Sequence, residues 1–161
     1  MTDHGDDILL VEDNADDEML AIHAIKRQRI SNNVHVVRDG AEALAFLFCT
    51  GIYGERTFKN PKVVLLDLKL PLVDGIGVLR QMRDDPRTRL VPVVVFTTSS
   101  EDRDIIESYR LGISSYIVKP VDVEQFNEIA KQLGYYWTGG KHQEVSATEP
   151  MTAAVSEIVN P

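Results

Sequence analysis

Five short runs of apolar, largely β-branched residues recur along the chain: Ile8–Val11, Val34–Val37, Val63–Leu66, Val93–Phe96 and Tyr116–Val118. Runs of this length and composition fit buried β-strands. Each is followed by a stretch with helical periodicity. Met19, Ile22 and Ile25 make the first stripe, and Ala43, Leu44, Leu47 and Phe48 the second. Ile76, Leu79 and Met82 follow, then Ile105, Ile106 and Tyr109, and last Val123, Phe126, Ile129, Ala130 and Leu133. Turn chemistry agrees: Asp39-Gly40 marks a helix start, Gly112 a helix stop and Asp122 an N-cap. Strand–helix alternation repeated five times predicts an α/β layered domain, with parallel strands joined by right-handed crossovers. No internal repeat of solenoid length interrupts it.

The alternation places one folded unit over residues 6–137, leaving 1–5 as a short N-terminal tail. Residues 138–161 are poor in large apolar groups and read as a flexible tail, with a weak helix near Ala153–Val159 and too little chain for an output domain. The single cysteine, Cys49, excludes an intramolecular disulfide and reads as a packing residue. With no signal-peptide pattern and no run near the ~20 apolar residues of a membrane span, a cytoplasmic location is expected. His4, His23, His35 and His142 have no metal-ligand spacing.

Charge is uneven. The net charge is −8, and residues 1–18 hold eight acids and no Lys or Arg, while the remainder is balanced. This argues against a nucleic-acid binder and against electrostatic membrane binding. In such a block Asp13, Asp16 and Asp17 could simply favour the positive end of the first helix.

In an open parallel sheet, ligands bind at the carboxyl ends of the strands. The first strand ends in Glu12-Asp13, the third in Asp67, the fourth in Thr97-Thr98 and the fifth in Lys119-Pro120. At ~4–5 Å and an effective dielectric of ~20, each like-charged pair of carboxylates costs roughly 3–4 kcal/mol. Such a group needs protons or a cation, and oxygen ligands without His or Cys suit Mg²⁺. A lysine across the site suits a phosphoryl oxygen. Together these point to an aspartate nucleophile that accepts a phosphoryl group. Singly, each residue has a plainer role: Asp67 as a loop acid before Pro71, Thr97, Thr98, Ser99 or Ser100 as the next helix's N-cap, and Lys119 as a solvated strand end.

Residues 8–14 (ILLVEDN), 64–71 (VLLDLKLP) with Asp74-Gly75, 92–98 (PVVVFTT) and 112–120 (ending YIVKP) together resemble the receiver domains of two-component response regulators, over about 130 residues in the right order. The resemblance implies a flavodoxin-like fold: a five-stranded parallel sheet in the order 2-1-3-4-5 flanked by five helices. It makes Asp67 the phosphoacceptor. Asp13 becomes a direct Mg²⁺ ligand, Glu12 a ligand acting through water, and Lys69 a ligand through its backbone carbonyl. Thr97 becomes the switch hydroxyl, Tyr116 the switch aromatic, and Lys119 the phosphoryl-contacting lysine, with a cis Lys119–Pro120 peptide bond. Within the family, residues 11–17 (VEDNADD), the 50–60 loop, residues 96–99 (FTTS) and the Tyr135-Tyr136-Trp137 ending are similar to single-domain receivers that work with bacterial and cyanobacterial phytochromes.

The resemblance implies a sensor histidine kinase as partner and a phosphorylation-dependent change of the face made by the fourth helix, fifth strand and fifth helix. Homodimerisation through that face is expected. Tyr135, Tyr136 and Trp137 either pack the last helix onto the domain or join that dimer face. The 50–60 loop could equally be a surface insertion without a role. A phosphorelay intermediate serving a histidine phosphotransfer protein remains an alternative within the family. A haloacid-dehalogenase-like phosphatase needs a second acid two residues after its nucleophile, where this chain has Lys69. A flavodoxin-type cofactor binder needs a phosphate-cradling loop where this chain has acids.

Overall fold

A computed structural model describes residues 6–27 and 33–137. The elements alternate as β1 (Asp6–Val11), α1 (Ala15–Arg27), β2 (Asn33–Val37), α2 (Gly40–Phe48), β3 (Val63–Leu66), α3 (Gly75–Asp84), β4 (Val93–Thr97), α4 (Asp102–Arg110), β5 (Ser115–Val118) and α5 (Val123–Trp137). A short 3₁₀ turn, Gly51–Tyr53, follows α2. All strand pairs are parallel and their order is β2-β1-β3-β4-β5. The sequence-based tails at 1–5 and 138–161, the helix near Ala153–Val159 and the side chains of Tyr135, Tyr136 and Trp137 lie outside the described residues.

Strand residues alternate between two cores, as the two-residue period of a strand requires. Leu9, Val11, Val64, Leu66, Val93 and Val95 face α2, α3 and α4, packing on Phe46, Leu79, Met82 and Ile105. Ile8, Leu10, Leu65, Val94 and Phe96 face α1 and α5, packing on Ala24, Ile25, Phe126 and Ala130. Phe96 and Phe126 meet edge to face, with centroids 4.9 Å apart. Coverage of both faces explains why these strands read as continuous apolar runs. Each fully buried Leu, Ile, Val or Phe contributes about 1.5–3 kcal/mol, so the sheet is the stable platform on which the strand ends stand.

Several local expectations need correction. Of the stripe read in α1, Ile25 is buried and Ile22 packs against the core, but Met19 is 69% exposed, and the small Ala21 and Ala24 fill the buried face beside Ile25. Val123 is 48% exposed, because α5 begins there and only from Phe126 does it meet the sheet. The N-cap of α4 is Glu101, without a side-chain cap bond, rather than any of Thr97, Thr98, Ser99 or Ser100. Cys49 is the left-handed C-cap of α2, with its Sγ against Arg56. Other caps fall where the sequence puts them. Asp39 accepts from the Glu42 amide at 2.6 Å, and Asp122 and Gln125 form a reciprocal box.

The 50–60 loop is fastened down. Tyr53 Oη donates to Glu42 Oε2 at 2.8 Å and pairs with His35 Nε2 at 2.9 Å. Arg56 lies over the Phe46 ring and donates to the Phe46 carbonyl. Around Asp67, glycines let the backbone approach closely. A Cβ on Gly75 would sit 2.4 Å from the Asp67 carbonyl oxygen, and one on Gly40 would sit 1.7 Å from that of Val73.

Candidate functional site at the carboxyl edge of the sheet

Backbone pairing aligns the strand ends. The Glu12 amide donates to Val37, the Asp67 amide to Val11 and the Lys119 amide to Thr97. Parallel registry therefore carries Glu12, Asp67, Thr97 and Lys119 to one edge, beside the point where the strand order reverses at β1 and β3. One carboxylate oxygen each from Glu12, Asp13 and Asp67 lies within 4.8 Å of the others. Glu12 and Asp67 are buried and Asp13 is exposed, so the cluster opens to solvent through Asp13. An all-oxygen donor set of this kind fits a hard divalent cation.

Lys119 crosses the cluster. Its Nζ lies 3.0 and 3.1 Å from the two oxygens of Glu12, 3.1 Å from Asp67 Oδ2 and 2.8 Å from Asp17 Oδ2. The Phe96 ring lies beneath it, 4.9 Å from the ammonium. Burial pushes the Glu12 carboxyl up to about 7 and the charge of Asp67 adds to the rise, although Lys119 pulls the other way. Burial on its own would lower the Lys119 pKa. Hydrogen bonds to Asp17 and Glu12 and the neighbouring negative charges reverse that, and the net shift is upward. Burial drives the first shift and neighbouring carboxylates the second, and both leave the site holding its protons tightly.

The remaining residues surround this centre. The Lys69 amide donates to Asp67 Oδ1 at 3.0 Å, and its side chain is exposed. Thr97 is buried, and its Oγ1 accepts from the Ser99 amide at 3.3 Å. Tyr116 is also buried, and its Oη donates to the Ser99 carbonyl at 2.9 Å. The Ser99 hydroxyl in turn bonds Asp104 of α4. The Lys119–Pro120 peptide bond is cis. A cleft of about 540 Å³ opens beside the acids, between Asp13, Lys69, Pro71 and Asp74 on one side and Glu101 and Arg103 on the other.

Sequence reasoning missed two of these contacts. Asp17 was read only as an acid suited to a helix start, yet it makes the shortest contact to Lys119. Its four-residue spacing from Asp13 at the start of a helix is the one local hint. The Ser99–Asp104 bond had no signal beyond Ser99 lying among capping residues.

Residues 8–131 match the model of the response regulator receiver domain. The chain is 35% identical over 130 residues to response regulator Rcp1 of Synechocystis, covering 81% of this chain and 87% of Rcp1. The structure of the Mn²⁺-bound form of Rcp1 superposes with a TM-score of 0.72, covering 81% of this chain and 92% of that one. The phosphorylated cyanobacterial phytochrome response regulator RcpA is 39% identical, with a TM-score of 0.72 and coverage of 81% and 92%. The bacteriophytochrome response regulator AtBRR is 46% identical, with a TM-score of 0.67 and coverage of 79% and 91%. In sequence, sheet order and strand-edge chemistry alike, the chain belongs to the response regulator receiver domain family.

Proposed function

We propose that Asp67 accepts a phosphoryl group from a sensor histidine kinase, and that the kinase is of the phytochrome type. The observation that carries the reading is Lys119 Nζ, 3.1 Å from Asp67 Oδ2 and buried beside a carboxylate cluster able to hold a cation. The similarity to RcpA and AtBRR supports the phytochrome assignment.

The Asp67 oxygen attacks phosphorus in line. The bond from phosphorus to the kinase histidine nitrogen breaks, and the imidazole leaves with the electron pair. Lys119 supplies a fixed positive charge to the phosphoryl oxygens, and Thr97 supplies a hydroxyl donor. Asp13, Asp67, the Lys69 carbonyl and, through water, Glu12 would hold Mg²⁺, which neutralises charge developing on the phosphoryl oxygens. Tyr116 links this edge to the α4–β5–α5 face, which we assign as the output and homodimer surface. The chain catalyses only its own phosphorylation and dephosphorylation. Among the described residues no helix is long and apolar enough to cross a membrane, and a cytoplasmic site fits the single cysteine.

Intact-mass analysis after incubation with acetyl phosphate and Mg²⁺ tests the reading, with size-exclusion chromatography alongside. Wild type gains one phosphoryl group and elutes earlier. Asp67→Asn gains none. An adduct on Asp67→Asn refutes the phosphoacceptor, and elution of the phosphorylated protein as a clean monomer at tens of micromolar refutes the dimer.

A further inference from the structure

Lys119 has one more acid around it than phosphoryl acceptance requires. Its ammonium has three hydrogens, and three carboxylates take them: Glu12, Asp67 and Asp17. Asp17 makes the shortest contact, 2.8 Å, from the first turn of α1. Its backbone is held there by the Asn14 side chain, which accepts from the Asp17 amide at 2.9 Å. It stands outside the Glu12–Asp13–Asp67 group and so is not part of the candidate cation site.

A phosphoryl oxygen arriving on Asp67 needs a donor from Lys119, so one existing contact must break. The Asp67 side chain becomes the acyl phosphate itself. Glu12 is almost fully buried, and a carboxylate there that lost its ammonium would be left as an uncompensated buried charge. The Asp17 side chain is 28% exposed and can turn to solvent when released. It is therefore the partner that gives way.

We propose that Asp17 is a positioning residue for phosphoryl acceptance: it holds the Lys119 ammonium while Asp67 is free and competes with the incoming phosphoryl group for it. The inference rests on Asp67 being the phosphoacceptor. With an acyl phosphate donor, the Asp67 oxygen bonds to phosphorus, the bond from phosphorus to the acyl oxygen breaks, and the carboxylate product leaves with the electron pair. Asp17 touches none of these atoms and acts through Lys119 alone. Its removal should therefore act chiefly on how readily the donor's phosphoryl group is engaged, and little on the limiting rate.

The test is phosphorylation of the full chain by acetyl phosphate at fixed Mg²⁺, followed by intact mass across donor concentrations. Wild type, Asp17→Asn and Asp16→Asn are compared. Asp16 lies on the same helix turn, carries the same charge and is exposed, with no contact to Lys119 among the described residues. Asp17→Asn should lower the half-saturating donor concentration about tenfold, the scale of one unit charge in contact with a partly screened ammonium. Its limiting rate should stay within about twofold of wild type. Asp16→Asn should match wild type in both. A shift smaller than about twofold in Asp17→Asn, an equal shift in Asp16→Asn or a loss confined to the limiting rate overturns the proposal. If wild type itself gains no adduct, the phosphoacceptor reading fails instead, so the two failures are told apart.

Discussion

Neutralising Asp13 should stabilise the protein without metal and remove much of its response to Mg²⁺. Asp13 has no hydrogen bond or ion pair through its side chain among the described residues, yet it brings an oxygen within 4.8 Å of oxygens of Glu12 and Asp67. At an effective dielectric of ~20, each of those pairs repels by roughly 3–4 kcal/mol. Asp13 is exposed, so solvent reduces each to about 1 kcal/mol. Attraction to Lys119 offsets part of the total, leaving about 1 kcal/mol of net destabilisation that Asp13→Asn relieves. That corresponds to a Tm rise of about 2–4 °C in chelator. Wild type should gain about 1.4 kcal/mol when Mg²⁺ reaches ten times its Kd, and the variant, lacking one ligand, clearly less. Urea unfolding followed by far-UV circular dichroism, in EDTA and in millimolar Mg²⁺, reads both effects. A variant less stable than wild type in EDTA, or one with the full Mg²⁺ increment, would refute the reasoning.

Further outcomes follow from Glu12 and from the loop after β3. Glu12 must be ionised to help hold a cation, and burial raises its pKa to about 7, so Mg²⁺ affinity should be full above about pH 8 and about tenfold weaker at pH 6. Calorimetric titration at the two pH values checks this, and equal affinities contradict it. The sign for folding is opposite. Because the folded-state pKa lies above the ordinary value of 4.5, the metal-free fold binds the extra proton between those limits and loses stability as pH rises through them. Leu72, in the loop after β3, has φ 71° and a residue exposure of 80%. Leu72→Gly should therefore stabilise the fold by about 0.5–1 kcal/mol in urea unfolding, and a loss of stability would show that the side chain packs on something.

The strands were legible because the sheet is covered on both faces, which leaves the central ones as unbroken apolar runs, with His35 interrupting only the edge strand β2. The helices were less so. The stripe on α1 was drawn through its large residues, whereas the helix buries the small Ala21 and Ala24 and turns Met19 to solvent. Hydropathy weights size, and close packing of a helix on a sheet does not. The site was legible where it lay at strand ends, since parallel registry alone brings Glu12, Asp67, Thr97 and Lys119 together. Asp17 was not, because its partner lies on the far side of the sequence and a local role in the helix dipole already explained it. Ser99 was masked in the same way: four consecutive hydroxyl residues all looked like caps, and the helix starts beyond them.

Ser99 also limits how far a phosphoryl group could drive the output face. Its amide holds Thr97 Oγ1, its carbonyl holds Tyr116 Oη and its hydroxyl holds Asp104. A phosphoryl oxygen that drew the Thr97 hydroxyl toward Asp67 would break the first of these bonds and loosen the residue that carries the other two. Each is worth about 0.5–1.5 kcal/mol, somewhat more where Asp104 carries charge. All three together come to about 3 kcal/mol, short of the ~5.5 kcal/mol that takes an equilibrium from 1:99 to 99:1. Tyr116 is moreover buried already and needs no inward rotation to reach Ser99. Phosphorylation would then act on an existing arrangement of β4, α4 and β5 and shift its population by part of the full range. The rest of the bias toward an output state has to come from whatever that face binds.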